Sequence, residues 1–240
     1  MLRVFALRCF LLSLVALNIN PATFAQSATE KNPSPEVETT WWIFLTTGKS
    51  TQGTGRAEIE KMQSDHLANF GRLHQAGQLL TAGPIADPQK KRRGIVVVKA
   101  PDLKSLKELF EPDPFVKNGF LDIDAIKMEI AVGAYQKNVD PTALAEYRLV
   151  LLEKSTPDGN ELDAEGQKKN LAYCQTIHDA EHLCFTGWLS DDKLPRRGIL
   201  IFRKLDEVTL NSLVDELPAV KSKTWKATTI PLYMSDGIVK

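Results

Sequence analysis

The chain contains a tandem repeat, and this repeat limits what the sequence can fold into. Residues 83–130 align with residues 187–234 at a constant offset of 104, without a gap. The clearest shared segment is Arg-Arg-Gly followed by four apolar residues, at 92–98 and again at 196–202. With one residue dropped in a loop, the match extends back to 49–50 and 154–155. Two units of about 95 residues therefore make up nearly all of the chain after its N-terminus.

The two units differ at one position that bears on chemistry. His66 of the first unit corresponds to Asn170 of the second unit. An imidazole exchanges a proton near neutral pH, whereas a carboxamide does not. An acid–base function at this position is therefore predicted for the first unit alone, and the second unit is interpreted as a scaffold.

The N-terminus has the features of an export signal. Arg3 and Arg8 precede a short apolar segment, and small residues precede Gln26, where a signal peptidase would cleave. The apolar segment is shorter than the about 20 residues that a membrane span needs, although an uncleaved anchor is the alternative. We expect a secreted or periplasmic protein with a signal peptide at 1–25, a disordered leader at 26–39, the first unit at 40–132, a linker at 133–145 and the second unit at 146–240.

Charge and cysteine content narrow the classes of partner. Without Arg3 and Arg8 the 30 basic residues become 28, against 30 acidic residues, and no basic stripe is visible. Nucleic acid is therefore not expected as a partner, and neither is the membrane once the signal is cleaved. Cys174 and Cys184 are the remaining cysteines, and the sequence leaves open whether they form a disulfide or stay as buried free thiols.

The predicted elements of each unit follow the order strand, helix, strand, strand, helix, strand. In the first unit, strands are predicted around 41–45, 79–82, 95–98 and 125–130. Gly77 is predicted to end the first helix and Asp102 to cap the second. The apolar face of the first helix is formed at helical spacing by Ile59, Met62, His66, Phe70 and Leu73.

This βαββαβ order is the ferredoxin-like pattern. Helices cover one face of such a sheet and leave the other face apolar and exposed, at a cost of about 25 cal/mol per Å². Two fused copies can cover each other. We therefore expect the α+β class, with two tandem ferredoxin-like units packed as a pseudo-dimeric α+β barrel.

His66 is the first candidate for chemistry, because it lies on the apolar face between Met62 and Phe70. A partly buried histidine needs partners for its ring nitrogens. A neighbouring carboxylate would fix the tautomer for general acid or base work. Asp87, in the loop after the Gly83-Pro84 turn, is the candidate partner. The alternative is a histidine that fills space and bonds a backbone carbonyl.

Three segments of the first unit resemble the YciI-like (YCII-related) family. They are His66-Leu67-Ala68, Gly77–Pro84 and Asp113–Phe120, and they cover the unit almost from end to end. The resemblance implies small ferredoxin-like units that pair into dimeric α+β barrels, with a histidine and an aspartate as the active site. Carried over, the catalytic residues would be His66 and Asp87. Relatives include a chloromuconolactone dehalogenase, which implies proton transfer on a small acidic ring substrate.

The second unit departs from this pattern. Asn170 replaces the histidine, Trp188 replaces a proline, and Leu217-Pro218-Ala219-Val220 replaces Asp-Pro-Phe-Val, whereas Asp191 is retained. We therefore predict at most one working site per chain.

The Arg92-Arg93 pair recurs as Arg196-Arg197. Guanidinium groups bind carboxylates through two hydrogen bonds, so Arg93 is the candidate substrate-binding residue. The alternative is a solvated turn in which the following glycine is needed for backbone geometry. Retention of the pair in the unit that lacks the histidine favours that structural interpretation.

No metal site or cofactor is predicted. His178 and His182 have the i, i+4 spacing of a helical zinc site. The internal alignment, however, places Glu181 where Gly77 ends the first helix, so His182 should lie beyond the helix. The sequence has no nucleotide-phosphate loop, no serine elbow and no redox Cys-x-x-Cys.

Two functions from different classes follow from these residues, and the sequence leaves the choice open. The first is a cofactor-free lyase, isomerase or dehalogenase-type enzyme in which His66 moves a proton and Asp87 orients it. The second is an exported protein that binds a small molecule, or acts as a scaffold, without turnover. In both cases the expected partner is a small-molecule ligand, and the chain is a monomer with an internal pseudo-dimer or a weak homodimer.

Overall fold

Each repeat folds as a strand, a helix, two strands, two helices and a final strand. The computed structural model describes residues 38–137, 139–140, 143–156, 159, 161–190 and 195–240. The predicted signal peptide and nearly all of the predicted leader lie outside this part of the chain, and both stay predictions. The first repeat contains β1 (Thr39–Thr47), α1 (Arg56–Gln75), β2 (Leu79–Pro84), β3 (Arg92–Ala100), α2 (Leu103–Phe110), α3 (Pro114–Lys117) and β4 (Leu121–Val132).

The second repeat has the same order of elements. It contains β5 (Leu144–Lys154), α4 (Ala164–Asp179), β6 (Leu183–Ser190), β7 (Arg196–Arg203), α5 (Glu207–Asp215), α6 (Pro218–Lys221) and β8 (Trp225–Ser235). The predicted strands and longer helices are all present, and the one-turn helices α3 and α6 are additions. None of the described helices is long and apolar enough to cross a membrane.

The first helix of each repeat ends as the sequence predicts. Gly77 follows α1 with a φ of 71°, and its backbone N–H donates to the carbonyl of His74. Glu181 takes the same left-handed conformation after α4, with a φ of 63°. Because α4 has ended by then, His182 does not share a helical face with His178, whose Nδ1 lies 2.9 Å from the carbonyl oxygen of Leu183.

The eight strands form one antiparallel sheet that closes into an α+β barrel. Their order is β2-β3-β1-β4-β6-β7-β5-β8, and β2 meets β8 to close the sheet. At the β4–β6 seam Met128 pairs with Leu189, and at the β8–β2 seam Leu232 pairs with Ile85. The second pair is the first pair shifted by the repeat offset of 104. The two seams are therefore related by a pseudo-twofold axis, as expected for a covalent version of a dimer.

The barrel has one inner core and two outer cores. The inner core lies between the two repeats and includes Trp42 and Phe44 of β1 and Leu149 and Leu151 of β5. One outer core lies between the first-repeat sheet and its helices, and the other occupies the same place in the second repeat. Both repeats fall within one compact unit.

The two cysteines are free because the sheet separates them. Cys174 on α4 belongs to the outer core of the second repeat, and Cys184 on β6 belongs to the inner core. Burial raises the pKa of the Cys174 thiol to about 12. Of the two alternatives left open by the sequence, buried free thiols are therefore the one observed.

Gly83 of β2 provides a direct test of the β2–β8 seam. A Cβ added at Gly83 would overlap with the backbone carbonyl oxygen of Tyr233 on β8. We expect Gly83→Ala to force the two strands apart and to lower the free energy of unfolding by at least about 2 kcal/mol in urea titrations. Gly71 of α1 is the matched control, because an added Cβ there meets nothing within 4 Å.

Gly71→Ala should raise the free energy of unfolding by about 0.5–1 kcal/mol, since alanine favours a helix interior over glycine. Equal, small effects of the two substitutions would contradict a closed seam at Gly83.

Candidate functional site

His66 lies on the face of α1 that packs against the sheet, and it is almost fully buried. It is 8% exposed and lies on the buried face of α1 with Met62, Asn69 and Leu73. Its Nδ1 atom is 2.5 Å from Oδ2 of Asp113. Burial and this contact fix the ring against the turn that leads into α3.

Asp113 is completely buried and is held by the backbone as well as by His66. It is the N-cap residue of α3, and its Oδ1 accepts the backbone N–H groups of Phe115 at 3.0 Å and Val116 at 3.3 Å. Pro114 at the first helical position suits this cap, because it has no N–H to satisfy. Each carboxylate oxygen therefore has a separate partner.

This arrangement determines the tautomer of His66. A carboxylate only accepts hydrogen bonds, so the proton of a neutral imidazole must lie on Nδ1, facing Asp113. The lone pair then lies on Nε2, for which no partner occurs among the described residues. A histidine oriented in this way can take a proton from a bound molecule at Nε2 and return it.

Aromatic side chains surround the imidazole. The ring centroid of Phe70 is 4.4 Å from that of His66, and the centroid of Phe115 is 5.5 Å away in an edge-on arrangement. Phe120 continues this group at 6.5 Å from Phe115, and Nζ of Lys49 lies 5.0 Å from the Phe120 centroid. The three phenylalanines are partly exposed. They make the surroundings of His66 apolar, and the ammonium group of Lys49 lies at the edge of this aromatic group.

The second repeat makes the same helix contact without an ionisable pair. Asn170 takes the position of His66 and is 1% exposed, and Leu217 takes the position of Asp113. The Oδ1 atom of Asn170 accepts the backbone N–H of Ala219 at 3.2 Å. Ala219 corresponds to Phe115, whose N–H is accepted by Asp113 in the first repeat. Asn170 therefore does in one step what His66 and Asp113 do together in the first repeat, because it connects the long helix directly to a backbone N–H of the short helix.

The predicted pairing of His66 with Asp87 is wrong. Oδ1 of Asp87 accepts the backbone N–H of Gln89 at 3.0 Å, and Oδ2 accepts that of Arg92 at 2.9 Å. Partial burial acts to raise the pKa of the Asp87 carboxyl, but these N–H groups and the charge of Arg92 outweigh it and lower the pKa. Asp87 therefore orders the β2–β3 turn, and a catalytic role for it has no support in this geometry.

Of the two neighbouring arginines in the first repeat, Arg92 and not Arg93 contacts the inner core. Alternation from Ile95 and Val97 would turn Arg93 inward, but a β-bulge opposite Leu45 and Thr46 shifts the register there. The Cζ atom of Arg92 lies 4.9 Å from the ring centroid of Phe44, whereas Arg93 is exposed. A substrate-binding role for Arg93 stays a prediction.

Sequence reasoning missed Asp113, although two signals pointed to it. Asp113-Pro114 is the N-cap and first-position proline of a helix. The repeat carries the second signal: where His66 becomes Asn170, Asp113 becomes Leu217, whereas Asp87 is kept as Asp191. The residue that changes together with the histidine is the one that contacts it.

A groove of about 640 Å³ lies beside the site, between the end of α2, α3 and the start of β4. Its apolar lining includes Phe110, Val116 and Ile123, and its charged lining residues are Lys107, Glu111, Lys117 and Asp122. His66 and Asp113 are not among the residues that line it. The groove contacts the opposite end of the same short helix that Asp113 caps.

Comparison with known proteins identifies the first repeat and the fold. Residues 40–129 match the YCII-related domain. No curated protein shows significant sequence similarity to the chain.

Among solved structures, the chain is similar to a putative monooxygenase from Fusobacterium nucleatum, with 8% identity, a TM-score of 0.56, and coverage of 85% of this chain and 96% of that one. It is also similar to a variant of the chlorite dismutase from Candidatus Nitrospira defluvii, with 11% identity, a TM-score of 0.53, and coverage of 83% and 92%. A heme-binding protein from Thermus thermophilus shows 15% identity, a TM-score of 0.51, and coverage of 84% and 94%. These alignments include both repeats, and at such identities they show the α+β barrel fold alone.

A double-mutant cycle tests the interaction between His66 and Asp113. His66→Asn leaves a buried carboxylate without its partner, and Asp113→Leu removes a helix cap, so each should lower the free energy of unfolding by roughly 2–4 kcal/mol. The double variant copies the Asn170 and Leu217 pattern, in which asparagine accepts the backbone N–H directly. We expect it to be more stable than the sum of the single effects by at least about 1 kcal/mol.

The cycle is measured by urea unfolding of the four proteins. Simple additivity would contradict both the His66–Asp113 contact and the equivalence of the two repeats at this position.

Proposed function

We propose that the protein is a cofactor-free acid–base enzyme with one active site per chain, and the match of residues 40–129 to the YCII-related domain supports this proposal. The observation that carries the proposal is the 2.5 Å contact between Nδ1 of His66 and the buried carboxylate of Asp113. It leaves Nε2 as the reactive nitrogen. His66 is the catalytic residue, and Asp113 is a positioning residue that acts through it.

The proposed reaction is proton transfer at carbon, of the lyase, isomerase or dehalogenase type. Nε2 takes a proton from a carbon beside a carbonyl group. In an isomerisation the proton returns to another carbon of the same molecule. In an elimination a halide leaves with its bonding electrons as the new double bond forms, and the proton stays on the imidazole until solvent removes it. General base catalysis of this kind contributes about 10²- to 10⁴-fold in rate.

The surroundings of His66 favour a small acidic ring as the substrate. Phe70 and Phe115 flank the imidazole and offer apolar faces for a ring. Lys49, at the edge of the aromatic group, supplies a positive charge for a carboxylate. A neutral polar substrate would use neither feature.

Proton transfer by a histidine–aspartate pair is the chemistry implied by the resemblance to the YCII-related family, and no chemistry is taken from the structural neighbours. The monooxygenase, chlorite dismutase and heme-binding descriptions belong to those proteins, whose identity to this chain is 15% or less. The features of an export signal at 1–25 support the further proposal that the reaction takes place outside the cytoplasm. A monomer satisfies the proposal, because both halves of the barrel belong to one chain.

A binding or scaffold protein without turnover is the second candidate. The observation that favours it is the second repeat, in which Asn170 ties the first helix to α6 without any acid–base pair. If this candidate is correct, the His66–Asp113 contact only stabilises the packing of α1 against α3. The two candidates differ in whether the imidazole is needed for anything besides stability.

The test is a turnover screen with unsaturated lactones that carry a carboxylate, with and without a halogen substituent. Isomerisation is followed by ultraviolet absorbance and elimination by halide release. We expect wild type to convert at least one compound, and His66→Asn to lose roughly 10²-fold or more in kcat. The His66→Asn, Asp113→Leu double variant should be equally inactive while it keeps a cooperative unfolding transition.

His74→Asn is the matched control, because His74 is an exposed histidine on the same helix, and it should keep wild-type activity. Activity that survives in the double variant would overturn the catalytic assignment. Saturable binding without turnover in wild type, retained in the double variant, would establish the second candidate instead.

A further inference from the structure

The two inward arginines of the repeats meet at one end of the barrel, which we call the arginine mouth. It is the end at which β3 and β7 begin. Arg92 of β3 and Arg196 of β7 lie at equivalent positions, and their Cζ atoms are 4.9 Å and 6.0 Å from the centroid of the Phe44 ring. Two cations therefore converge on one buried aromatic ring, and each needs compensation of its charge.

Arg196 obtains that compensation from the other repeat. It is 4% exposed, and its Nη1 and Nη2 atoms donate to the two carboxylate oxygens of Asp124 on β4, the second at 3.0 Å. Asp124 lies on the inner side of β4, two residues before Ile126 of the inner core. This forked contact across the β4–β6 seam is the geometry in which guanidinium binds carboxylate most strongly.

The pseudo-twofold axis maps this ion pair onto Arg92 and residue 228. Adding the offset of 104 to Asp124 gives Thr228 on β8, which alternates inward with Ile230 and Leu232 of the inner core. The threonine side chain has no charge, and its hydroxyl oxygen is one bond closer to Cα than the carboxylate oxygens of an aspartate. Thr228 is also exposed, so the place of the missing carboxylate is open to solvent.

Arg92 has no substitute for that carboxylate in the part of the chain that the structure describes. Its guanidinium makes no hydrogen bond or ion pair there, and its ring contact is with Phe44. The carboxyl of Asp87 is influenced by the charge of Arg92 but uses both oxygens on backbone N–H groups. Glu153, on the neighbouring part of β5, lies 3.8 Å from Nζ of Lys226.

We propose that the arginine mouth is an anion site, in which Arg92 binds the carboxylate of a small ligand at the place that Asp124 occupies beside Arg196. The ligand class follows from the repeat, because the group that pairs with Arg196 at the equivalent place is the carboxylate of Asp124 and both repeats have the arginine. In this proposal the hydroxyl of Thr228 donates a hydrogen bond to the same anion. The site is independent of His66, and neither assignment requires the other.

The experiment is a titration of the ¹⁵N-labelled protein with sodium acetate against sodium chloride at constant ionic strength. The side-chain Nε–H resonance of Arg92, identified as the signal that disappears in Arg92→Gln, reports binding. We expect a saturable shift with acetate and none with chloride. Thr228→Asp places an internal carboxylate in the site and should weaken acetate binding by about tenfold or more.

Two matched variants separate this effect from a general loss of charge or structure. Thr228→Asn has nearly the size of aspartate without its charge, and Lys91→Gln removes an exposed cation next to Arg92 in the chain. Both should bind acetate within about twofold of wild type. A wild-type shift that does not saturate, or equal acetate binding by wild type and Thr228→Asp, would overturn the proposal.

Discussion

The structure depends on burial of the inner faces of two four-stranded sheets against each other. Each repeat covers its outer face with its own helices, but its inner face is covered only by the other repeat. Burying a side chain such as Phe44 or Leu151 contributes about 1.5–3 kcal/mol relative to leaving it in water. Neither sheet could keep that face in solvent, so the duplication supplies the second half of the core within one chain.

Fusion of the repeats also frees each half to change without its counterpart. In a symmetric dimer every substitution occurs twice, whereas here the first repeat has His66 and the second has Asn170 at the same place in the fold. The backbone N–H at the start of the one-turn helix is accepted by a different side chain in each repeat, Asp113 in the first and Asn170 in the second. The Arg196–Asp124 pair has diverged in the same way at Arg92 and Thr228. At the first position the His66–Asp113 pair is replaced by Asn170. At the second position the carboxylate of Asp124 is replaced by the uncharged Thr228.

The sequence predicts local patterns well and contacts between distant elements less well. The helical spacing of Met62 and His66, the terminator at Gly77 and the gap-free repeat were sufficient for the element order and the barrel, because each depends on neighbours in sequence or on burial. The partner of His66 is Asp113, which is 47 residues away at the start of a one-turn helix. The helical spacing of apolar residues gives no information about which distant residue packs against His66. That Arg92 and not Arg93 contacts the inner core depends on the β-bulge at Thr46, which no local sequence pattern marks.

The buried carboxylate of Asp113 holds the His66 ring with its proton on Nδ1 and leaves Nε2 for chemistry. The direct measurement is the ¹⁵N NMR spectrum of the histidine rings in wild type and in Asp113→Leu, at a pH where the rings are neutral, with exposed His74 as the internal reference. We expect a single Nδ1–H tautomer for His66 that is lost in Asp113→Leu. An Nε2–H tautomer in wild type, or a spectrum of His66 that is unchanged by Asp113→Leu, would contradict it.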